Sequence, residues 1–307
     1  MADLLLRMTP PDQPLFISPC PSYPSPMQSL ILSDNQSFDL ASTLSCGQVF
    51  GWEQTEGGWW QGSLCRSVMR VRQEDRTLLF EGVDEETLVR YFALDLDLNK
   101  ILSSVSRDEF IAAAIESRRG LRIVRQDPWE CLLSYLCAQN ANIPFITRML
   151  SSLRQNFGDK LDSPWGTFQS LPRPEVLAAL SHEDIATCRP GYRGSYILGT
   201  ARQIASDPGW EMRIRELPYQ EAADDLMKLS GVGPKVADCL LLFGFQKYEA
   251  FPVDVWIRRI MQEHYLSPET SCTLTRSAYR RIGTFSRDYF GDYAGYAQEY
   301  LYAARSD

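Results

Sequence analysis

The chain has 307 residues, 44% of them hydrophobic and 23% charged, enough for one large or two modest domains of ordinary globular composition. No apolar run approaches the roughly 20 residues of a membrane span, and no basic leader or cleavage site marks secretion, so neither a membrane partner nor export is expected. The net charge of −8 counts against nucleic acid as a partner only globally: residues 1–106 carry 7 basic and 14 acidic groups, whereas 107–307 carry 24 and 25.

A basic face is therefore available in the later part, from Arg118, Arg119, Arg258, Arg259, Arg280, Arg281 and Arg287. The default compartment is the cytoplasm, or the nucleus in a eukaryote. Eight cysteines with no C-x2-C pair, and only His182 and His264, fit neither a zinc nor an iron–sulfur site, so no metal is expected.

Residues 1–28 hold seven prolines and read as a disordered tail, in which Met8 and Met27 are alternative starts. A β-rich domain is expected over 29–106. Gln48–Gln54, Trp59–Cys65, Ser67–Arg72 and Thr77–Glu81 alternate as strands, with turns at Gly57-Gly58 and Glu74-Asp75. Asp84 then opens a helix that runs to about Phe92. From 107 to 307 the period becomes helical. Asp127-Pro128-Trp129-Glu130 starts a helix that ends near Asn140. Further helices fit 143–156, 174–180, 195–206, 219–229, 234–244, 255–264, 273–289 and 294–304. The fold class is α+β, an antiparallel sheet domain followed by an all-helical one.

Leu229-Ser-Gly231-Val232-Gly233-Pro234-Lys235 joins two helices through a glycine turn, with proline as a first helical residue. Glycines there suit positive φ and a close approach of backbone to ligand. The amides of Gly231, Val232 and Gly233 and of the new helix start form a site for a DNA phosphate, without base information. A P-loop is ruled out, because a helix and not a strand precedes the turn and the G-x4-G-K spacing is absent. An αα-corner with glycine caps is the plain alternative. Lys235 weighs against it: a cation is disfavoured at the positive end of a helix dipole, and a half-buried lysine there would supply the neutral amine of a Schiff-base nucleophile. Nineteen residues on, Asp254 reads as the cap of the next helix. Its loop can also return it to Lys235, where a carboxylate would stabilise a cationic sugar.

LSGVGPKVADC followed by FPVDVW resembles the helix-hairpin-helix and Pro/Asp loop of base-excision glycosylases. DPWECLLSYLCAQNANI, PGYRGSY and FDLASTLSCGQVFGW narrow the resemblance to the 8-oxoguanine DNA glycosylase family, over roughly 38–304. The resemblance implies a bifunctional glycosylase and lyase that flips oxidised guanine out of double-stranded DNA, acting as a monomer with no cofactor beyond an optional monovalent cation at the hairpin. Lys235 would be the nucleophile and Asp254 its partner. The carbonyl of Gly47 would accept the N7–H of 8-oxoguanine, Gln298 would read the Watson–Crick edge, and Tyr302 and Cys239 would flank the purine. Asn140 would fill the gap left in the duplex, Tyr192 would wedge beside it, and Arg193 would hold the orphaned base. Two positions depart from the family: Phe145 stands where a second arginine usually faces that base, and Trp256 replaces a phosphate-binding histidine. The alternatives are a monofunctional glycosylase for alkylated bases or adenine, which the presence of Lys235 opposes, and a non-catalytic DNA-binding module.

Overall fold

Apolar residues at every second position build the first layer of the structure. The computed structural model describes residues 26–33, 36–64, 67–266 and 275–306. The tail expected over 1–28 lies outside the described residues as far as 25, and Gln28 already pairs with Phe80. Strands β1 (Gln28–Ile31), β2 (Trp52–Gln54), β3 (Trp60–Leu64), β4 (Ser67–Glu74) and β5 (Thr77–Glu81) form an antiparallel sheet in the order β1-β5-β4-β3-β2. Met69, Val71, Leu78 and Phe80 turn inward and pack on Phe38, Leu44, Leu88 and Phe92. The period of two thus separates a dry face from a wet one.

Two details differ from expectation. The strand expected from Gln48 begins only at Trp52, because Gln48 is buried and its amide is bonded away from the sheet. Before it lies an unanticipated helix, Leu40–Ser45, capped by the Asp39 carboxylate, which accepts from Ser42 N at 2.6 Å. Six residues make under two turns, too few for a period to show.

The second layer is helical. Among its helices are Leu98–Val105, Glu109–Ser117, Pro128–Cys137, Ile143–Phe157, Arg193–Ala205, Pro234–Phe243, Val255–His264, Arg276–Phe290 and Ala294–Ala303. The helix expected from 273 is seen from Arg276, its first positions lying outside the described residues. Leu98–Val105, His182–Ala186, Trp210–Glu216 and a small hairpin of β6 (Lys160–Ser163) and β7 (Gly166–Gln169) were not expected. The two cores overlap in sequence: Leu98, Ile101 and Val105 pack among the helices, while Val124 packs under the sheet. Among the described residues, no helix is long and apolar enough to cross a membrane.

The stretch 122–126 stitches the layers together. The buried Arg122 donates to the carbonyls of Ser37 (3.0 Å), Leu96 (3.1 Å) and Ala93. Gln48 Nε2 donates to Arg122 O at 2.8 Å, Gln48 Oε1 accepts from Val124 N at 2.9 Å, and Gln48 O accepts from Gln126 Nε2 at 2.8 Å. Apart from Arg122 Nη2, which has no partner, these buried polar groups are satisfied, and so hold one geometry. The loop that carries Gly47 is thereby fixed against the helical layer.

Candidate active site

The hairpin forms as the glycines suggest, with one correction. Gly231 takes φ 76°, and a Cβ there would lie 2.3 Å from the Tyr196 ring. Gly233 does not need positive φ; it is extended at φ −101°, ψ −179°, with nothing within 4 Å of a Cβ. Its role is to leave the helix entrance uncovered. Val232 is buried and its N–H donates to Leu229 O at 3.1 Å, so that amide closes the turn and does not face outward. Gln139 Nε2 donates to Gly231 O at 3.0 Å and ties the hairpin to the end of the Pro128–Cys137 helix. The Pro234–Phe243 helix has no side-chain cap, so its first N–H groups remain for an anion.

Lys235, one residue into that helix, lines a pocket of about 820 Å³ between the sheet layer and the helices. Its Nζ lies 5.9 Å from the Tyr135 ring centroid. Asp254 lines the same pocket and caps the Val255–His264 helix, its Oδ1 accepting from Ile257 N at 2.8 Å. The cap and the pocket carboxylate are thus one residue. The thiol of Cys239 reports how close these groups are. Burial pushes it up to about 12, the Lys235 charge opposes the rise, and Asp238, Asp254 and Glu299 add to it.

The rest of the lining comes from three segments. Gly47, at φ 105°, sits beside Tyr302, whose Cε1 would be 3.6 Å from a Cβ. Cys239 faces the pocket from the lysine helix. Gln298, Glu299 and Tyr302 come from the Ala294–Ala303 helix. Gln298 is buried and its Oε1 has no partner.

Sequence reading missed Glu299, which is only 3% exposed. Burial raises its carboxyl to about 7, with the Cys46 thiol and Arg305 opposing and Asp254 adding. A carboxylate inside the otherwise uncharged run Gly295-Tyr-Ala-Gln-Glu-Tyr-Leu-Tyr was the signal available. Tyr279 was missed as well. It lines the pocket and bonds Asp238 at 2.5 Å and Val253 N at 3.3 Å.

A second group of expected residues gathers at the pocket mouth, which Asn140 and Trp256 line, and beyond it. Asn140 takes φ 48° and is exposed, and its Nδ2 donates to Tyr192 OH at 3.1 Å. Tyr192 is 49% exposed and donates to Gln139 O at 3.2 Å. Arg193, however, is only 6% exposed. Its guanidinium donates to the carbonyls of Gln139 (2.9 Å from Nε) and Asn140 (3.2 Å from Nη2), between the rings of Tyr192 (4.6 Å) and Phe145 (5.2 Å). Phe145 is partly buried against the helical core and under that arginine. Trp256 stands 48% exposed at the pocket rim, with Arg259 5.2 Å over its ring. Of the arginines expected to form a basic face, Arg280 and Arg281 are exposed, whereas Arg287 turns in to bond Tyr219 OH at 3.0 Å.

A hairpin, a lysine one residue into its second helix and an aspartate across a pocket together define a base-excision DNA glycosylase of the helix-hairpin-helix class. Family models match residues 30–132 as the N-terminal domain of 8-oxoguanine DNA glycosylase and residues 133–282 as an HhH-GPD superfamily base excision DNA repair protein. The chain belongs to the 8-oxoguanine DNA glycosylase family. It is 33% identical to a probable N-glycosylase/DNA lyase of Methanothermobacter thermautotrophicus, over 86% of this chain and 92% of that one. It is 32% identical to the N-glycosylase/DNA lyase of Arabidopsis thaliana, over 86% and 76%. The Clostridium acetobutylicum 8-oxoguanine glycosylase/lyase, solved with double-stranded DNA containing cytosine opposite 8-oxoguanine, superimposes with a TM-score of 0.81 at 32% identity. That superposition covers 87% of this chain and 91% of that one.

Proposed function

We propose that this chain is a bifunctional DNA glycosylase and lyase that excises 8-oxoguanine from double-stranded DNA, with Lys235 as nucleophile. The observation that carries the reading is that Gly47, Lys235 with Cys239, Asp254 and Gln298, drawn from four separate stretches of sequence, line one pocket. Lys235 Nζ attacks the sugar C1′ and the glycosidic bond breaks, its electron pair leaving with the base. Loss of the amine protons and opening of the sugar ring give a Schiff base, and proton abstraction beside it expels the 3′ phosphate by β-elimination. Asp254 faces the positive charge that grows on the sugar. The hairpin and helix-start amides hold a backbone phosphate, and the flipped base enters between Cys239 and Tyr302. None of these steps calls for a cofactor.

The test is a duplex with a single 8-oxoguanine, incubated with and without borohydride. Wild type releases the base, nicks the strand and leaves a covalent adduct. Lys235→Gln binds the duplex and does none of these. A trapped adduct with the glutamine variant would refute the assignment of the nucleophile.

A further inference from the structure

We propose that Glu299 is a base-reading residue which, with Gln298, selects a guanine-type edge over an adenine-type edge. The inference rests on the functional reading above and names a specificity within it. Both residues line the pocket, both are buried, and each carries a side-chain oxygen, Gln298 Oε1 and Glu299 Oε1, with no hydrogen-bond partner. A buried acceptor left unpaired is destabilising, by about 1–3 kcal/mol. Two of them on consecutive residues that line one pocket would be satisfied by a ligand that brings two donors.

At these two positions the lining offers acceptors. The Gln298 oxygen accepts, and the Glu299 carboxylate, in the ionised form that prevails above about pH 7, accepts only. Close to Glu299 lie the Cys46 thiol from the Gly47 loop, Asp254 from the Pro/Asp loop, Cys239 from the lysine helix, and Tyr302 and Arg305 from its own helix. The Tyr302 ring and the Cys239 thiol are the flat and apolar parts of that shell. Arg305 lies 3.6 Å over Tyr302 and donates to the Tyr302 carbonyl, so its charge is directed there.

A guanine-type edge carries N1–H and a 2-amino group side by side, two donors for two oxygens. An adenine-type edge offers an unprotonated N1 and no 2-amino group. It would leave one acceptor unpaired and set the N1 lone pair against a carboxylate. That difference separates 8-oxoguanine from 8-oxoadenine, although both carry the same N7–H for Gly47.

The experiment compares single-turnover excision of 8-oxoguanine and of 8-oxoadenine, with cleavage of an abasic duplex as internal reference, for wild type, Glu299→Gln and Glu299→Ala. The abasic duplex has no base to read, so dividing by its rate removes any loss due to misfolding. In both variants the ratio of 8-oxoguanine excision to abasic cleavage should fall about 10- to 100-fold, and the preference for 8-oxoguanine over 8-oxoadenine should shrink. An unchanged ratio and an unchanged preference would overturn the role of Glu299. Wild type that cleaves the abasic duplex but leaves 8-oxoguanine untouched would instead overturn the functional reading on which it rests.

Discussion

The Tyr279 hydroxyl donates to the buried Asp238 carboxylate at 2.5 Å, and the same oxygen accepts from Val253 N at 3.3 Å. Asp238 lies one turn beyond Lys235 on the same helix, and Val253 immediately precedes Asp254. The bond therefore ties the loop that carries the acid to the helix that carries the amine. Tyr219 OH completes the arrangement, donating to the other Asp238 oxygen at 2.6 Å and accepting from Arg287 at 3.0 Å.

Tyr279→Phe should consequently reduce excision with little change in DNA binding. The variant removes a hydrogen bond to a charged group, worth about 1.5–3 kcal/mol, at the base of the Asp254 loop. A 10- to 100-fold fall in single-turnover rate is expected. Cleavage of an abasic duplex should fall less, since Asp254 serves mainly the departure of the base. Equal losses in both assays would mean that Tyr279 supports only the fold.

Asp254→Asn separates the two duties of that residue. Asparagine caps a helix about as well as aspartate, so the bond to Ile257 N and the melting temperature should survive. The charge facing the developing sugar cation is lost, and excision should slow by roughly 100-fold or more. Near-normal excision at an unchanged Tm would reduce Asp254 to a cap.

Discrimination at the base opposite the lesion should be modest, about tenfold or less between cytosine and the other bases. Arg193 already spends its donors on the Gln139 and Asn140 carbonyls and is covered by Phe145 and Tyr192. To contact an orphaned base it must exchange those bonds, and Phe145 offers that base no donor. Rates opposite C, T, G and A, measured for wild type and Phe145→Arg, provide the check. The arginine should sharpen the preference for cytosine; a strong preference in wild type that the substitution leaves alone would contradict the idea.

Stability should fall as pH rises between about 4.5 and 8. Burial, aided by the neighbouring Asp127, raises the Glu130 carboxyl to about 8, with Arg154 opposing. Over that window the folded chain retains a proton that the unfolded chain releases, so raising the pH favours unfolding. Glu130→Gln cannot titrate. Its Tm relative to wild type should therefore rise by several degrees, on the order of 5–10 °C, between pH 5 and pH 8.5. A constant difference across that range would show that Glu130 is ionised in the folded protein.

Local signals were legible in the sequence because their causes lie within a few residues. Asp127 and Pro128 start a helix and Gly231 turns the hairpin, each through its own backbone preference or a bond to a near neighbour. The Lys235 and Asp254 motifs belong to the same class, and so does the alternation that builds β4 and β5. Short elements such as Leu40–Ser45 escaped because a period needs length. What only the tertiary structure decided is which polar groups are buried and what they meet there. Gln48 finds Arg122 and Val124 more than 70 positions away, Tyr279 finds Asp238 at a separation of 41, and Arg193 turns inward to Gln139 across 54. Glu299 is left with a buried oxygen that has no hydrogen-bond partner. A polar side chain in a sequence carries no sign of its burial, because burial is set by the elements that pack over it, and those arrive from distant parts of the chain.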